Sequence, residues 1–221
     1  NIMLNELDKE LTRRGLPFVR YADDSMIFCK SKRAAKRVKE SITRFIEGKL
    51  HLKVNRDKTV VSYVQGVKYL GYSFYVMKGK CQLTVHPKAK AKMKAKLKEL
   101  TSRSNGWGYA KRKQKLEEYI KGWVGYYHLA NMKRFLIETD EWLRRRLRMC
   151  IWKSWKRVKT RVANLVKCGI DKYQAYMWGN SRLGYWRIAG SYILSRAITN
   201  EKLSMAGYAT LMGSYIEWHP K

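Results

Sequence analysis

The stretch that decides the fold reads Phe18-Val19-Arg20-Tyr21-Ala22-Asp23-Asp24-Ser25-Met26-Ile27-Phe28-Cys29. Two apolar runs flank the adjacent carboxylates Asp23 and Asp24, which predicts a β-hairpin with an acidic pair at its tip. Neighbouring negative charges repel each other, so this pair is favoured where it binds a cation. Carboxylate oxygens suit Mg²⁺, and Mg²⁺ binds phosphates. The hairpin is therefore a candidate metal site for phosphoryl transfer, and the alternative is an ordinary turn, where Asp is a preferred residue.

The net charge of the chain limits its partners. Forty-eight Lys and Arg face seventeen Asp and Glu, which gives a net charge of +31 over 221 residues. Self-repulsion at that level indicates a polyanionic partner, and nucleic acid is favoured far above acidic lipid. Eight Trp and fifteen Tyr add rings that stack on bases, although such rings also fill protein cores. No apolar run approaches the length of a membrane span, so we expect no membrane partner.

The four cysteines and four histidines are scattered, with no spacing typical of a zinc site. Reduced thiols and a cytoplasmic location are the corresponding expectations.

Helices and short strands alternate in the first third of the chain. Residues 1–14 carry apolar side chains at helical spacing, and a second helix is expected to begin after Ser31, a good N-cap residue. Residues 52–54 and 59–64 are expected to be extended. Residues 67–75 read as one strand, followed by a turn at Gly79 and a partner strand. This order predicts an α+β layer.

The composition changes after Pro87. Residues 88–161 contain twenty-three Lys and Arg against six Asp and Glu, a net charge of +17. Apolar stripes at helical spacing predict that this region is all-α, with the arginines between 144 and 148 turned mostly away from the core. The basic faces are either solvated or bound to phosphates, since like charges at i,i+4 disfavour the helix that carries them. Short helices are expected at about 184–198 and 200–217, where no chemistry is evident.

Four segments, taken together, resemble the reverse transcriptase family. Residues 18–29, with their Tyr-Ala-Asp-Asp core, resemble the catalytic hairpin of that family, and residues 52–59 (Leu-Lys-Val-Asn-x-x-Lys-Thr) resemble the next polymerase motif. Residues 69–74 (Tyr-Leu-Gly-Tyr-Ser-Phe) resemble the strand that holds the primer end. Residues 1–8 resemble the helix that follows the Gly-rich Ser-Pro motif. The order and spacing of the four match the family over residues 1–75.

The next segments narrow the resemblance. Residues 122–127 (Gly-Trp-Val-Gly-Tyr-Tyr) and the Arg-rich stretch 144–156 are similar to the maturase, or thumb, domain of bacterial group II intron proteins. No His-Asn-His pattern follows, which resembles the class that lacks an endonuclease domain. The resemblance implies the C-terminal half of such a protein. Its parts would be the C-terminal part of a palm (1–86), a basic helical thumb or maturase domain (87–161) and a helical extension of that domain (162–221).

The resemblance also implies a site. Asp23 and Asp24 would be catalytic carboxylates that bind two Mg²⁺ ions together with a carboxylate outside this chain. Lys58 falls where the family has a lysine that protonates the leaving pyrophosphate, and its alternative is a surface lysine in a turn. The primer-holding residues would be Tyr69, Leu70 and Gly71. Nucleic-acid contacts are expected from basic residues of the helical region, namely Lys92, Lys96, Arg112, Lys113, Arg144, Arg145, Arg146 and Arg148.

The implied partners are group II intron RNA, an RNA template with its DNA primer, deoxynucleoside triphosphates, target DNA, and a missing N-terminal segment with the fingers and the rest of the palm. Without that segment, this chain alone is not expected to polymerise DNA. The leading hypothesis is an RNA-directed DNA polymerase whose thumb assists intron splicing. The second is a maturase that only binds RNA and carries idle polymerase motifs. A basic, ribosome-like RNA binder is third, because it leaves the paired carboxylates unexplained.

Overall fold

A computed structural model describes residues 2–220 of the chain; Asn1 and Lys221, which end two of the predicted segments, lie outside the described residues. The chain forms two compact units, Asn1–Thr84 and Val85–Lys221. Helices and two small sheets make up the fold, in agreement with the expected mixture of α and β structure. The interpretation of these parts as palm and thumb stays a prediction.

The first unit begins with two helices that enclose a hairpin. Helix α1 (Ile2–Arg13) is followed by strands β1 (Phe18–Tyr21) and β2 (Asp24–Ile27) and by helix α2 (Lys32–Lys49). Ser31 caps α2, as predicted, by accepting a hydrogen bond from the amide of Ala34. The core of this part consists of buried apolar residues from both helices and the loop after α2, namely Leu7, Leu11, Ile42 and Leu50, against which Phe18 and Ile27 of the hairpin pack.

The remaining strands form a three-stranded antiparallel meander of β3 (Lys68–Tyr69), β4 (Tyr72–Met77) and β5 (Lys80–Val85). The prediction of one continuous strand over residues 67–75 is wrong, because the chain reverses at Leu70 and Gly71. Both residues have positive φ angles, 50° and 82°, as a two-residue type I′ hairpin turn requires. The expected turn at Gly79 is confirmed, and it has the same geometry.

The predicted extended pieces at 52–54 and 59–64 are not strands; apart from a 3₁₀ turn at Val64–Gly66, residues 50–67 are irregular. Their β-prone residues meet no partner strand there. Asn55 organises the centre of this segment. Its side-chain oxygen accepts from the amide of Lys58 at 3.1 Å, and its carbonyl accepts from the amide of Thr59 at 3.0 Å.

The second unit is helical, as predicted. It contains α3 (Pro87–Leu100), α4 (Tyr109–Tyr127), α5 (Lys133–Ser154), α6 (Val158–Lys167), α7 (Lys172–Gly179), α8 (Tyr185–Ala189), α9 (Tyr192–Ala197), α10 (Asn200–Met205) and α11 (Leu211–Glu217). The apolar stripes of α3, α4 and α5 form the core, with Met93, Leu116 and Leu143 among the buried residues. The two helices expected at 184–198 and 200–217 are four shorter ones. Within residues 2–220, no helix is both long enough and apolar enough to cross a membrane.

Candidate catalytic hairpin and nucleic-acid interface

The acidic pair lies at the tip of the β1–β2 hairpin. The strands pair from Phe18 with Ile27 to Tyr21 with Asp24, so Ala22 and Asp23 form a two-residue turn. Ala22 has a φ of 54°, in the left-handed region. That conformation costs a residue with a Cβ about 1–2 kcal/mol, so the surrounding contacts must stabilise the tip.

Arg20 supplies those contacts. It lies on the less exposed face of β1 and donates from Nε to the Asp8 carboxylate of α1 at 2.7 Å. Its Nη1 donates to the carbonyl oxygen of Ala22, also at 2.7 Å. The bond from Arg20 is the main cause that lowers the pKa of Asp8. Sequence reasoning missed Arg20, although a charged residue at an inward position of an apolar strand indicates a buried partner.

The carboxylates themselves have no cationic partner within residues 2–220. Asp23 and Asp24 are exposed, and among the described residues neither forms an ion pair with a Lys, Arg or His, although the chain carries an excess of thirty-one positive charges. Two adjacent hard oxygen ligands that are left free in this way fit a divalent cation. Within residues 2–220, no third His, Cys, Asp or Glu joins them to form a metal-binding group.

Tyr69 is the predicted primer-holding residue whose pKa responds to the charge at the acidic tip. Its pKa is raised by burial and then by the negative charge of Asp24, so the two side chains are electrostatically coupled. The Tyr69 hydroxyl is buried, and no group in the described part of the chain hydrogen bonds to it. A buried polar atom without a partner is costly, and a bound substrate that hydrogen bonds to it removes that cost.

Lys58 is not joined to the hairpin. It is exposed on the turn that Asn55 organises, and no hydrogen bond or ion pair among the described residues links its side chain to Asp23 or Asp24. Both alternatives for Lys58, proton donor or surface lysine, therefore stay open.

The basic residues of α3 and α4 differ in exposure. Lys92 and Lys96 of α3 are exposed, and Lys96 pairs with Glu99 at 2.7 Å. On α4, Lys113 is half-buried, whereas Arg112 is buried and donates to the side-chain oxygen of Asn105 at 3.1 Å. Arg112 therefore does not present its guanidinium to solvent.

The expected outward orientation of the α5 arginines is wrong for Arg144 and Arg146, which are 6% and 9% exposed. Arg146 donates from Nε to the Thr101 hydroxyl at 2.6 Å and from Nη2 to the carbonyl oxygens of Lys98 and Thr101, both at 3.0 Å. These two carbonyls lie at the C-terminal end of α3, where the helix itself offers no donors. Arg144 donates to the Ser204 hydroxyl at 3.1 Å.

The other two α5 arginines also bond to the protein. Arg145 donates to the carbonyl oxygen of Trp186 at 2.9 Å, and Arg148 donates to the carbonyl oxygen of Ile198 at 2.8 Å. The planar, five-donor guanidinium suits such carbonyl acceptors at helix ends. The cluster therefore connects α5 to α3 and to the C-terminal helices. Nucleic-acid binding by Arg144, Arg145 and Arg148 stays a prediction, whereas the three protein acceptors of the buried Arg146 guanidinium favour a structural role for that residue.

Known families match both units. Residues 1–74 match the model of the reverse transcriptase (RNA-dependent DNA polymerase) family. Residues 90–169 match the model of the group II intron, maturase-specific domain. The chain thus joins reverse transcriptase sequence to a maturase-specific domain. These two matches confirm the resemblance to group II intron-encoded reverse transcriptases and maturases that the sequence motifs indicate.

Two curated relatives are similar to part of the chain. Both are named Group II intron-encoded protein LtrA, one from Lactococcus lactis subsp. cremoris and the other from its strain MG1363. Each is 37% identical over 67 residues, which are 29% of this chain and 11% of the relative. The matched segment thus spans about a tenth of each relative's length.

Proposed function

We propose that this chain supplies part of the palm and the thumb of an RNA-directed DNA polymerase that also binds group II intron RNA to assist its splicing and mobility. The observation that carries the proposal is the braced hairpin within the reverse transcriptase match, which presents Asp23 and Asp24 without a cationic partner among the described residues. In a chain with a net charge of +31, a free acidic pair is best explained by metal binding.

Each residue of the first unit has a proposed task. Asp23 and Asp24 hold Mg²⁺ together with a carboxylate from outside this chain, and Arg20 keeps the turn in place. Metal ions held there would supply Lewis-acid chemistry, which would activate the primer 3′-hydroxyl and stabilise charge on the leaving pyrophosphate. Lys58 donates a proton to that pyrophosphate. The Leu70–Gly71 turn brings the backbone close to the primer end, to which the unpaired Tyr69 hydroxyl donates a hydrogen bond.

The second unit is proposed to bind RNA through its positive charge. Lys92 and Lys96 of α3 are exposed, Lys113 of α4 is half-buried, and residues 88–161 carry a net charge of +17. Phosphate contacts from these side chains make binding strong at low salt and weak at high salt. The intron RNA, the template with its primer, deoxynucleoside triphosphates and target DNA are the proposed partners.

The test separates polymerase from maturase function. The protein that contains this chain, completed by the missing palm and fingers, is assayed for primer extension on an RNA template and for splicing of its intron RNA. We expect Asp23→Asn and Asp24→Asn to abolish extension and leave splicing within about twofold of wild type. If extension persists in both variants, the metal assignment is wrong. If the wild type splices without any extension, the alternative of a splicing-only maturase with idle polymerase motifs is correct.

A further inference from the structure

Two adjacent aromatic residues at the start of α8 each lie beneath cations. The Arg103 guanidinium carbon is 4.6 Å from the centre of the Tyr185 ring, and Lys153 Nζ is 5.0 Å from the same centre. The Arg145 guanidinium carbon is 4.1 Å from the centre of the Trp186 ring. These five residues, from the loop after α3, from α5 and from α8, form a cluster that we name the α8 platform.

The cations of the α8 platform lack anionic partners among residues 2–220. In the described part of the chain, none of Arg103, Arg145 and Lys153 forms an ion pair with a carboxylate. Arg103 is exposed, and its contact with Tyr185 is an attraction to the ring rather than a hydrogen bond. Two like charges held near one ring repel each other. A polyanion removes this repulsion, so the cluster is suited to phosphates.

The backbone around α8 leaves room for one of these cations. A Cβ at Gly190 would lie 2.5 Å from the Arg145 guanidinium carbon, so a side chain at this position would displace the guanidinium. Arg145 also donates to the carbonyl oxygen of Trp186, so its plane is held over the ring by a hydrogen bond as well as by stacking. The guanidinium position is thus built into the fold, and Trp186 remains 40% exposed beside it.

We propose that the α8 platform binds unpaired RNA, with a base stacked against the exposed Trp186 ring and phosphates paired with Arg103, Arg145 and Lys153. Unpaired bases offer a free face to an aromatic ring, whereas bases in a duplex already stack on their neighbours. This inference rests on the proposed RNA-binding function and deepens it. It names the class of RNA, and it adds Tyr185 and Trp186, which lie beyond residues 90–169 of the maturase match, to the proposed interface.

The test measures how tightly the 221-residue chain binds three labelled probes: an oligouridine of twelve nucleotides, an RNA duplex of the same length and an oligothymidine. We expect Trp186→Ala to weaken oligouridine binding about 5- to 100-fold, and duplex binding less than about twofold. The bond from Arg145 to the Trp186 carbonyl does not need the ring, so the fold is retained. Tyr173→Ala is the matched control, because Tyr173 is 72% exposed and no cation lies over its ring in the described residues.

A second variant tests the cation without removing a ring. Gly190→Ala displaces the Arg145 guanidinium from Trp186, and we expect it to weaken oligouridine binding in the same direction. A wild-type chain that binds none of the probes refutes the proposed RNA-binding function itself. The platform assignment is wrong if the wild type binds RNA but Trp186→Ala weakens oligouridine and duplex binding equally. It is also wrong if the substitution changes neither affinity. A larger loss with oligothymidine than with oligouridine assigns the site to a DNA strand and overturns the RNA assignment.

Discussion

Replacement of Arg146 by Met tests whether the arginines of α5 hold the fold together. Met keeps the apolar stem but removes the guanidinium, and with it three hydrogen bonds of 2.6, 3.0 and 3.0 Å. Hydrogen bonds to a charged group contribute about 1.5–3 kcal/mol each. Burial of the charged guanidinium costs free energy, and it lowers the pKa of Arg146. The substitution removes this cost, which offsets several kcal/mol of the lost hydrogen-bond energy. The net loss in the free energy of unfolding is therefore about 2–4 kcal/mol.

The assay is equilibrium unfolding in urea, followed by circular dichroism of the helical signal. Arg134→Met is the control, because the Arg134 side chain is 94% exposed and its pair with Glu138 is worth less than about 0.5 kcal/mol. Salt dependence of RNA binding supplies a second readout, and we expect Arg146→Met to leave its slope unchanged. This account is refuted if the stability change is as small as that of the control and the salt-dependence slope of RNA binding falls by about one unit. That result would mean that the guanidinium contacts an RNA phosphate.

Three further predictions concern the hairpin brace, acid stability and the last helix. Arg20→Gln breaks the bonds to Asp8 and to the turn, so urea unfolding is expected to show a lower midpoint, and primer extension is expected to fall. Two neighbouring arginines lower the pKa of Glu10 to about 2, so its stabilising contribution is complete above about pH 4.5 and is lost toward pH 2. Glu10→Gln should therefore flatten the acid dependence of the urea midpoint. Asp140 accepts from two amides at the start of α11, and Asp140→Ala should speed hydrogen exchange in that helix.

Much of the fold follows from local patterns. The apolar spacing of α1 to α5 and the Ser31 cap predict helices because each depends on neighbours within one or two turns. The β1–β2 hairpin is equally local, since its strands are joined by two residues. The turn at Gly79 is predicted because the polar residue Lys78 precedes the glycine. The turn at Leu70 and Gly71 is not predicted, because apolar, β-prone residues on both sides indicate one continuous strand. The positive φ angles of the two residues reveal the reversal.

The parts that could not be predicted depend on distant partners. Arg146 bonds to carbonyl oxygens 45 and 48 residues away in the sequence, and Arg148 bonds to one that is 50 residues away. A helical pattern places such arginines on a face but does not say whether another element covers that face. The same holds for Arg20, whose partner lies on α1, and for Trp186, whose cation comes from α5. The sequence of residues 162–221 therefore does not by itself indicate a binding site.

The most direct test of the central claim is the rate of a single nucleotide addition to a primer on an RNA template. The protein that contains this chain, together with the palm and fingers segment that the proposed function requires, is compared with Asp24→Asn and with Asp57→Asn. Asp57 is an exposed aspartate on the turn beside Lys58. The account predicts that Asp24→Asn slows addition at least about 100-fold at saturating Mg²⁺ while intron RNA affinity stays unchanged. It predicts that Asp57→Asn stays within about twofold of wild type. Equal rates for the two variants would contradict the assignment of the hairpin as the metal site.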